Sequence, residues 1–368
     1  MADACDLKRI SVLVISPPAK AQGGVAAFAE TMKKYLQGCD VTSLHVGRDG
    51  GEGAIASALR FCSALCRLIY YVCTKRVDVV HVNPSLNYKS LARDGLILLC
   101  LRAIRFTRVM VWFHGWELAV EKHIRQGKFH CRFFTWLLGG VKRVVVLAPE
   151  FRQSLMEMGV NGESITLGTT MFDGTSIRAR FNETDGCRKI LFMSRYDARK
   201  GIYELLDAFE NVARDFPDAQ LVLAGDGPEY LKLRARIEAS ESSGRITLFG
   251  YETGNAKSLL LAGCVIFALP SYYPEGMPVA LLEALASGMP VLTAKSGGIR
   301  HIVSEPENGV VLDVVTAKTV ETGLRRLLND KDYCKETGQR NAASVWRKYE
   351  AKIVTAQIEK LYYEIAAD

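Results

Sequence analysis

Pro270-Ser271-Tyr272-Tyr273-Pro274-Glu275-Gly276-Met277-Pro278-Val279-Ala280-Leu281-Leu282-Glu283-Ala284-Leu285-Ala286-Ser287-Gly288-Met289-Pro290-Val291 runs from the end of an apolar strand, through a loop of Pro, Tyr and Gly, into an apolar helix and on to the next strand. Strand, loop, helix and strand in that order make the unit from which parallel sheets are built. Free backbone N–H groups between Met277 and Ala280 would sit at a helix N-terminus, where the helix dipole favours an anion. Gly276, Met277, Pro278 and Val279 are therefore candidate ligand-binding positions for phosphate or sugar oxygens. Glu275 and Glu283 stand eight positions apart, one in the loop and one about two turns into the helix, so both can face one ligand. Carboxylates accept hydrogen bonds from sugar hydroxyls.

Outward from this stretch the same grammar repeats. Apolar runs Ile190 to Met193, Leu221 to Ala224, Ile246 to Phe249, Val265 to Leu269 and Val291 to Thr293 read as strands, with helices such as Ile202 to Phe209 and Val279 to Ala286 between them. Strands apolar on both faces and separated by helices belong to a parallel sheet covered on both sides. Ligands of such sheets bind outside the carboxyl ends of the strands. Phe192-Met193-Ser194-Arg195-Tyr196-Asp197-Ala198-Arg199-Lys200-Gly201 ends one strand, and its Arg195 and Lys200 suit a pyrophosphate, the guanidinium as a planar fork and the ammonium as a compact charge. Arg199 reads as ordinary surface charge. Leu221-Val222-Leu223-Ala224-Gly225-Asp226-Gly227-Pro228 ends another strand, and Gly225 and Gly227 there are given a supporting role.

The N-terminal half reads alike, with strands at Ile10 to Ile15, Val77 to Val82, Val109 to Phe113 and Val144 to Leu147 and a helix near Val25 to Leu36. Gln22-Gly23-Gly24-Val25 joins the first strand to its helix, so Gly23 and Gly24 can lay backbone N–H groups against a phosphate or acceptor oxygen. The spacing is not GxGxxG, and no dinucleotide fingerprint results. His114, in Phe113-His114-Gly115-Trp116-Glu117, closes a strand and is a candidate active-site group. The polar, Gly- and Thr-rich stretch from Leu167 to Asp185 is read as the interdomain connection. Trp346 to Ile365 reads as a final helix able to cross back to the first domain.

At 368 residues, 49% hydrophobic and 24% charged, the chain suits two folded domains and excludes disorder and collagen-like classes. The run Ile10 to Ile15 is too short for a signal sequence, and charged residues interrupt the best membrane-span candidate. Ten cysteines without CxxC pairs or zinc spacing are read as free buried thiols, Cys62, Cys66 and Cys73 sharing one helix face with Ile69. Of the formal net charge of +7, the first half carries the excess: residues 1–180 hold 24 Lys and Arg against 14 Asp and Glu. That asymmetry fits anionic partners, whether lipid head groups, a pyrophosphate-linked acceptor or nucleic acid.

Together these segments resemble the family 4 glycosyltransferases (glycosyl transferases group 1). The resemblance implies an α/β GT-B fold of two facing Rossmann-like domains with a deep interdomain cleft and a C-terminal helix returning to the first domain. It places an acceptor-side domain at 1–168, a nucleotide-sugar donor domain at 169–345 and the returning helix at 346–368. It implies that Glu275 and Glu283 contact the donor sugar and ribose, that Arg195 and Lys200 hold the diphosphate, and that Gly23, Gly24 and His114 match the family's glycine loop and cleft histidine. Glu275, His114, Arg195 and Lys200 are then the expected catalytic group. The expected reaction is a retaining, metal-free transfer of a hexosyl unit from a nucleotide diphosphate sugar, UDP favoured over GDP, with the leaving phosphate helping to take the acceptor's proton. No cofactor is expected, since the nucleotide sugar is a substrate.

Segments 56–76, 90–108 and 122–143 combine Arg and Lys with Leu, Phe and Trp136, as a helix on an anionic membrane would, and equally as a core helix with a solvated basic side. The membrane reading implies a peripheral protein at the cytoplasmic face of the inner membrane, with a saccharide or lipid-linked saccharide acceptor in bacterial surface polysaccharide or lipopolysaccharide assembly. Three competitors are weighed. A nucleic-acid-binding protein would use the basic half but lacks a supporting module, so no nucleic-acid partner is expected. An epimerase of similar architecture is disfavoured by the Glu275/Glu283 segment. Intact Glu275, Glu283, Arg195 and Lys200 weigh against a catalytically silent sugar-nucleotide-binding subunit.

Overall fold

A computed structural model of the chain describes residues 9–18, 23–47, 53–177, 188–273 and 276–367. It divides into two compact units, 1–171 with 351–368, and 172–350.

The first unit runs β1 (Ile10–Ser16), α1 (Gly24–Tyr35), β2 (Cys39–His45), α2 (Ala54–Thr74), β3 (Val79–Val82), α3 (Tyr88–Ala103), β4 (Val109–Trp112), α4 (Leu118–Gln126), α5 (Lys128–Leu138), β5 (Arg143–Val146), α6 (Pro149–Met158) and β6 (Ile165–Leu167). Its strands form one six-stranded sheet in the order β2-β1-β3-β4-β5-β6, every pair parallel. β3 and β4 are buried at every position, as the continuous apolar runs require. Leu13, Ile15, Val80, Val82, Val111 and Val144 build one core with residues of α2, α3, α5 and α6.

The second unit runs β7 (Arg188–Met193), α7 (Ile202–Asp215), β8 (Ala219–Ala224), α8 (Tyr230–Glu238), β9 (Ile246–Phe249), α9 (Gly254–Gly263), β10 (Ile266–Leu269), α10 (Val279–Ala286), β11 (Val291–Ala294), β12 (Gly309–Leu312), α11 (Ala317–Asn329) and α12 (Lys331–Tyr349). The sheet order is β12-β11-β10-β7-β8-β9, again all parallel. In each sheet the chain steps outward in one direction and then crosses back. The reversal falls between β1 and β3 in the first sheet and between β7 and β10 in the second. These are the switch points at which doubly wound sheets open a crevice.

The last helix, α13 (Ala351–Ala367), belongs to the first unit. It packs on α1, β1 and β3, and its buried Tyr362 places its hydroxyl 2.6 Å from His81 Nδ1 on β3. The helix expected from Trp346 to Ile365 is two helices. Trp346 lies on α12 in the second unit, where its indole N–H donates to Ala286 O at the end of α10, and the chain changes unit after Glu350. The first junction falls at 171/172, three residues beyond the 168/169 boundary that the resemblance implies.

The three cysteines of α2 are not the buried thiols that the sequence predicts. Cys62, Cys66 and Cys73 do share a face of α2, but they are exposed. Ala64 and Leu68 supply the inward stripe, and a helix apolar on both sides does not announce which side is the core.

Candidate active site

Three of the sequence-singled loops leave neighbouring strands of the second sheet at one edge: the Arg195–Lys200 loop after β7, the Gly225–Gly227 loop after β8 and the Pro270–Pro278 loop after β10. The first and third flank the switch point and are stitched together. The N–H groups of Tyr272 and Tyr273 both donate to Arg199 O, at 3.1 and 3.2 Å. Gly201 adopts φ +71°, and a Cβ there would lie 2.1 Å from Pro270 O, so only glycine lets the loops approach this closely.

Arg195 is exposed on this rim and Lys200 half-buried. The Lys200 ammonium sits 4.7 Å from the centre of the Tyr273 ring, and the Arg199 guanidinium 4.6 Å from it. Arg199 does more than charge the surface: Nε and Nη2 reach Asp197 at 3.0 and 2.7 Å. That pairing holds the Asp197 carboxyl down at about 2, so Asp197 stays ionised and Arg199 offsets its charge.

Gly225 and Gly227 are architectural. Each has φ +159°, and a Cβ would fall 1.9 Å from Ser194 O or 2.4 Å from Tyr196 O. The Gly225 N–H donates to Gly250 O at 3.0 Å. They let the β8 loop lie directly against the Arg195 segment.

The α10 start carries no side-chain cap at Pro278. Leu281 and Leu282 turn their N–H groups back to Pro278 O, and the first-turn N–H groups of Val279 and Ala280 have no acceptor within the helix. Gly276, Met277, Pro278 and Val279 are all half-buried. Glu275 and Pro274 lie outside the described residues.

Glu283 is 4% exposed. Its Oε1 accepts from Lys257 Nζ on α9 at 2.6 Å. Burial pushes the carboxyl up while Lys257 opposes the shift, and a contact this short is that of an ionised pair. Sequence reasoning missed Lys257, which stands in no motif.

In the first unit, Gly23 caps α1 with φ +151°, and a Cβ on Gly23 or Gly24 would meet nothing within 4 Å among the described residues. The backbone here is open on its outer side. Gln22 lies outside the described residues. His114, just past β4, packs its ring 4.6 Å from Phe28 of α1. Its Nε2 lies 2.8 Å from Asn83 Oδ1. Asn83 follows β3 at the switch point, and its amide donates to Ile15 O at 3.1 Å. With that amide committed as donor, Oδ1 must accept, so His114 carries its proton on Nε2 and a lone pair on Nδ1. Asn83 is a second residue the sequence reading missed; a buried polar side chain right after an apolar strand was the available signal.

Burial lowers both His114 and His81 to about 3, His81 also through His114. Both are neutral at pH 7. Their folded values lie below the ordinary histidine value, so the unfolded chain binds more protons as pH falls through about 6.5. Stability is therefore lost from about pH 6.5 downward, by up to about 1.4 kcal/mol per pH unit for each histidine. The melting temperature is expected to fall between pH 7 and pH 5, and more shallowly in His81→Leu/Tyr362→Phe. Equal slopes in the two proteins would rule out this buried pair as the titrating unit.

Against this geometry stand the known proteins. Residues 173–344 match the family described as glycosyl transferases group 1, a range that covers nearly the whole second unit. That match makes the second unit a group 1 glycosyltransferase domain. The N-acetyl-alpha-D-glucosaminyl L-malate synthase of Bacillus anthracis is 23% identical over 196 residues, 53% of this chain and 50% of that protein. The phosphatidyl-myo-inositol mannosyltransferase of Mycobacterium leprae is 28% identical over 180 residues, 49% of this chain and 47% of that one. The chain thus spans about half the length of the curated relatives it matches. Among solved structures, sucrose-phosphate synthase from Thermosynechococcus elongatus superposes with a TM-score of 0.81 over 98% of this chain and 100% of its own, at 18% identity. Anabaena HepE in complex with UDP-glucose gives 0.74 over 97% and 100%, at 16% identity. The fold of the chain is accordingly GT-B, two Rossmann-like domains each built on a six-stranded parallel sheet.

Proposed function

We propose that this chain transfers a hexosyl unit from a nucleotide diphosphate sugar to a saccharide or lipid-linked saccharide acceptor, with retention at the anomeric carbon and without a metal. One observation carries the reading: the Arg195–Lys200 loop and the Pro270–Pro278 loop are joined through Arg199 O at the switch point of the second sheet. In this reading the cations of the first loop and the N–H groups at the start of α10 serve one ligand. A diphosphate suits both. The HepE structure with UDP-glucose supports UDP as the carrier, as does the family resemblance.

In this reading the sugar–phosphate bond breaks as negative charge gathers on the leaving diphosphate, and Arg195 and Lys200 stabilise that charge. A phosphate oxygen of the leaving group takes the acceptor's hydroxyl proton on the same face, which retains configuration. No enzyme nucleophile is needed. Glu275 and Glu283 are assigned to sugar and ribose hydroxyls, Lys257 keeping Glu283 ionised. His114 is neutral and serves as a hydrogen-bonding group on the sugar and acceptor side, with Nδ1 as acceptor. The role is assigned to bacterial surface polysaccharide assembly at the cytoplasmic face of the inner membrane.

Thermal denaturation with UDP, GDP and ADP in EDTA tests the donor site. UDP at about a hundred times its dissociation constant should stabilise the protein by about 2.7 kcal/mol, and Lys200→Ala should lose most of that shift. A folded protein indifferent to every nucleotide at millimolar concentration would overturn the assignment.

A further inference from the structure

The outer side of α2 carries Ile55, Leu59, Cys62, Cys66, Ile69 and Cys73, which recur at alternating steps of four and three and so form one stripe along the helix. All are exposed, Ile55 at 79% and Leu59 at 67%. The opposite side is anchored: Ala64 and Leu68 are buried, and Phe61, Leu65, Tyr71 and Val72 pack against the first unit's core. α2 is long and apolar enough to cross a bilayer, but this anchoring lays it along the surface of a folded unit.

α3 touches both α2 and α5, and it adds exposed Leu96. α5 contributes Phe129 at 77%, Phe133 and Trp136, whose rings stack in sequence at 6.4 and 5.8 Å. Arg102 of α3 lies over the Trp136 ring at 4.2 Å. Three adjacent helices thus expose large apolar groups on one side of the first sheet, which a solvated surface does not explain.

Charge selects the occupant. Residues 54–76 hold Arg60, Arg67, Lys75 and Arg76 with no acid, and α5 holds Lys128 and Arg132 with none. Asp94, the acid of α3, is buried against Arg93 at 2.7 Å. A second copy seated on this face would bring cation against cation. A surface of anionic phosphates with an apolar layer beneath it complements both features, and an interfacial Trp beside Arg is what such a boundary favours.

We infer that the outer face of α2, α3 and α5 docks the protein on an anionic lipid bilayer, the apolar stripe entering the head-group boundary and the Arg and Lys residues meeting lipid phosphates. The inference goes beyond the donor-site reading and does not depend on it.

Co-sedimentation of the full chain with phosphatidylglycerol/phosphatidylethanolamine vesicles, and with phosphatidylcholine vesicles as the neutral probe, tests it. The wild type should pellet with the anionic vesicles, bind the neutral ones at least about tenfold more weakly, and release as salt rises. Trp136 emission should shift to the blue on binding, and Trp136→Phe should remove the shift. Leu59→Ser/Phe129→Ser/Phe133→Ser should abolish binding. Arg67→Gln/Lys128→Gln/Arg132→Gln should weaken it on the order of 10²-fold. Both triple variants change exposed residues and should keep the wild-type melting temperature and nucleotide response. Wild-type protein left in the supernatant with anionic vesicles overturns the inference. So does a dimer in solution, by light scattering, that the apolar triple variant converts to monomer, since that would assign the face to a second copy.

Discussion

Lys200→Ala and Arg195→Ala are each expected to lower the rate of UDP release from a UDP-sugar by on the order of 10²–10³-fold, while affinity for the intact UDP-sugar falls much less than affinity for free UDP, which carries the extra charge. The split follows from when the charge appears. In the bound donor the β-phosphate is esterified to the sugar, whereas bond cleavage delivers an extra negative charge to the departing diphosphate. A cation at the rim therefore gains most in the transition state, which lowers kcat rather than raising KM. The rim is preorganised for this: Lys200 ends a short turn whose Lys200 N–H is tied to Asp197 O at 2.9 Å, and its ammonium lies 4.7 Å from the Tyr273 ring centre. Arg199 pairs with Asp197, and Arg195 and Lys200 are the cations assigned to the ligand. Lys200→Arg should recover part of the rate by keeping the charge. A kcat within about threefold of wild type in both alanine variants would remove these residues from the chemistry.

The chain's central strands and their carboxyl-end loops were legible because burial on two faces forces continuous apolar runs, as in Ile190 to Met193 and Val109 to Phe113. The strands the sequence did not disclose, β2, β6 and β12, are all sheet edges. β2 reads Cys-Asp-Val-Thr-Ser-Leu-His, with two of its seven residues buried; β6 has three residues; β12 is buried throughout, but its four residues open with Gly309 and leave an apolar run of only three. An edge strand has one neighbour and fewer contacts demanding apolar side chains, which weakens the signal of β2 and β6, while β12 is hidden by its shortness. The candidate site divides similarly. Arg195, Lys200 and the Met277–Val279 segment sit where local order, strand then loop then helix, already placed them. Lys257 and Asn83 act through tertiary contacts, 26 and 31 residues from Glu283 and His114, and no local pattern encodes such a distance. The stripe of Cys62, Cys66 and Cys73 marks a third limit: periodicity gave the shared face, and only packing showed that it points outward.

Lys257→Met should cost about 3–5 kcal/mol at pH 7 by urea denaturation, because it strands a carboxylate in the interior. The Glu283 side chain is 5% exposed and Lys257 is its ion-pair partner at 2.6 Å. Without the ammonium, burial and the nearby Asp173 charge act unopposed and drive the Glu283 pKa further above its unfolded value. A group whose folded pKa is raised keeps its full stability below the unfolded value and loses it as pH rises. The deficit of the variant should therefore be largest near pH 8 and shrink toward pH 4.5, where Glu283 is protonated and buried as a neutral acid. A lost packing contact would give the same deficit at both pH values, and that result would contradict the charge argument. Lys257→Met/Glu283→Leu should recover most of the stability at pH 7, since an apolar pair of similar volume replaces a buried ion pair at little net cost, yet it should not recover nucleotide binding. Stability and binding would then separate at one pair of residues: the fold tolerates an apolar pair there, and the charge is kept for the ligand.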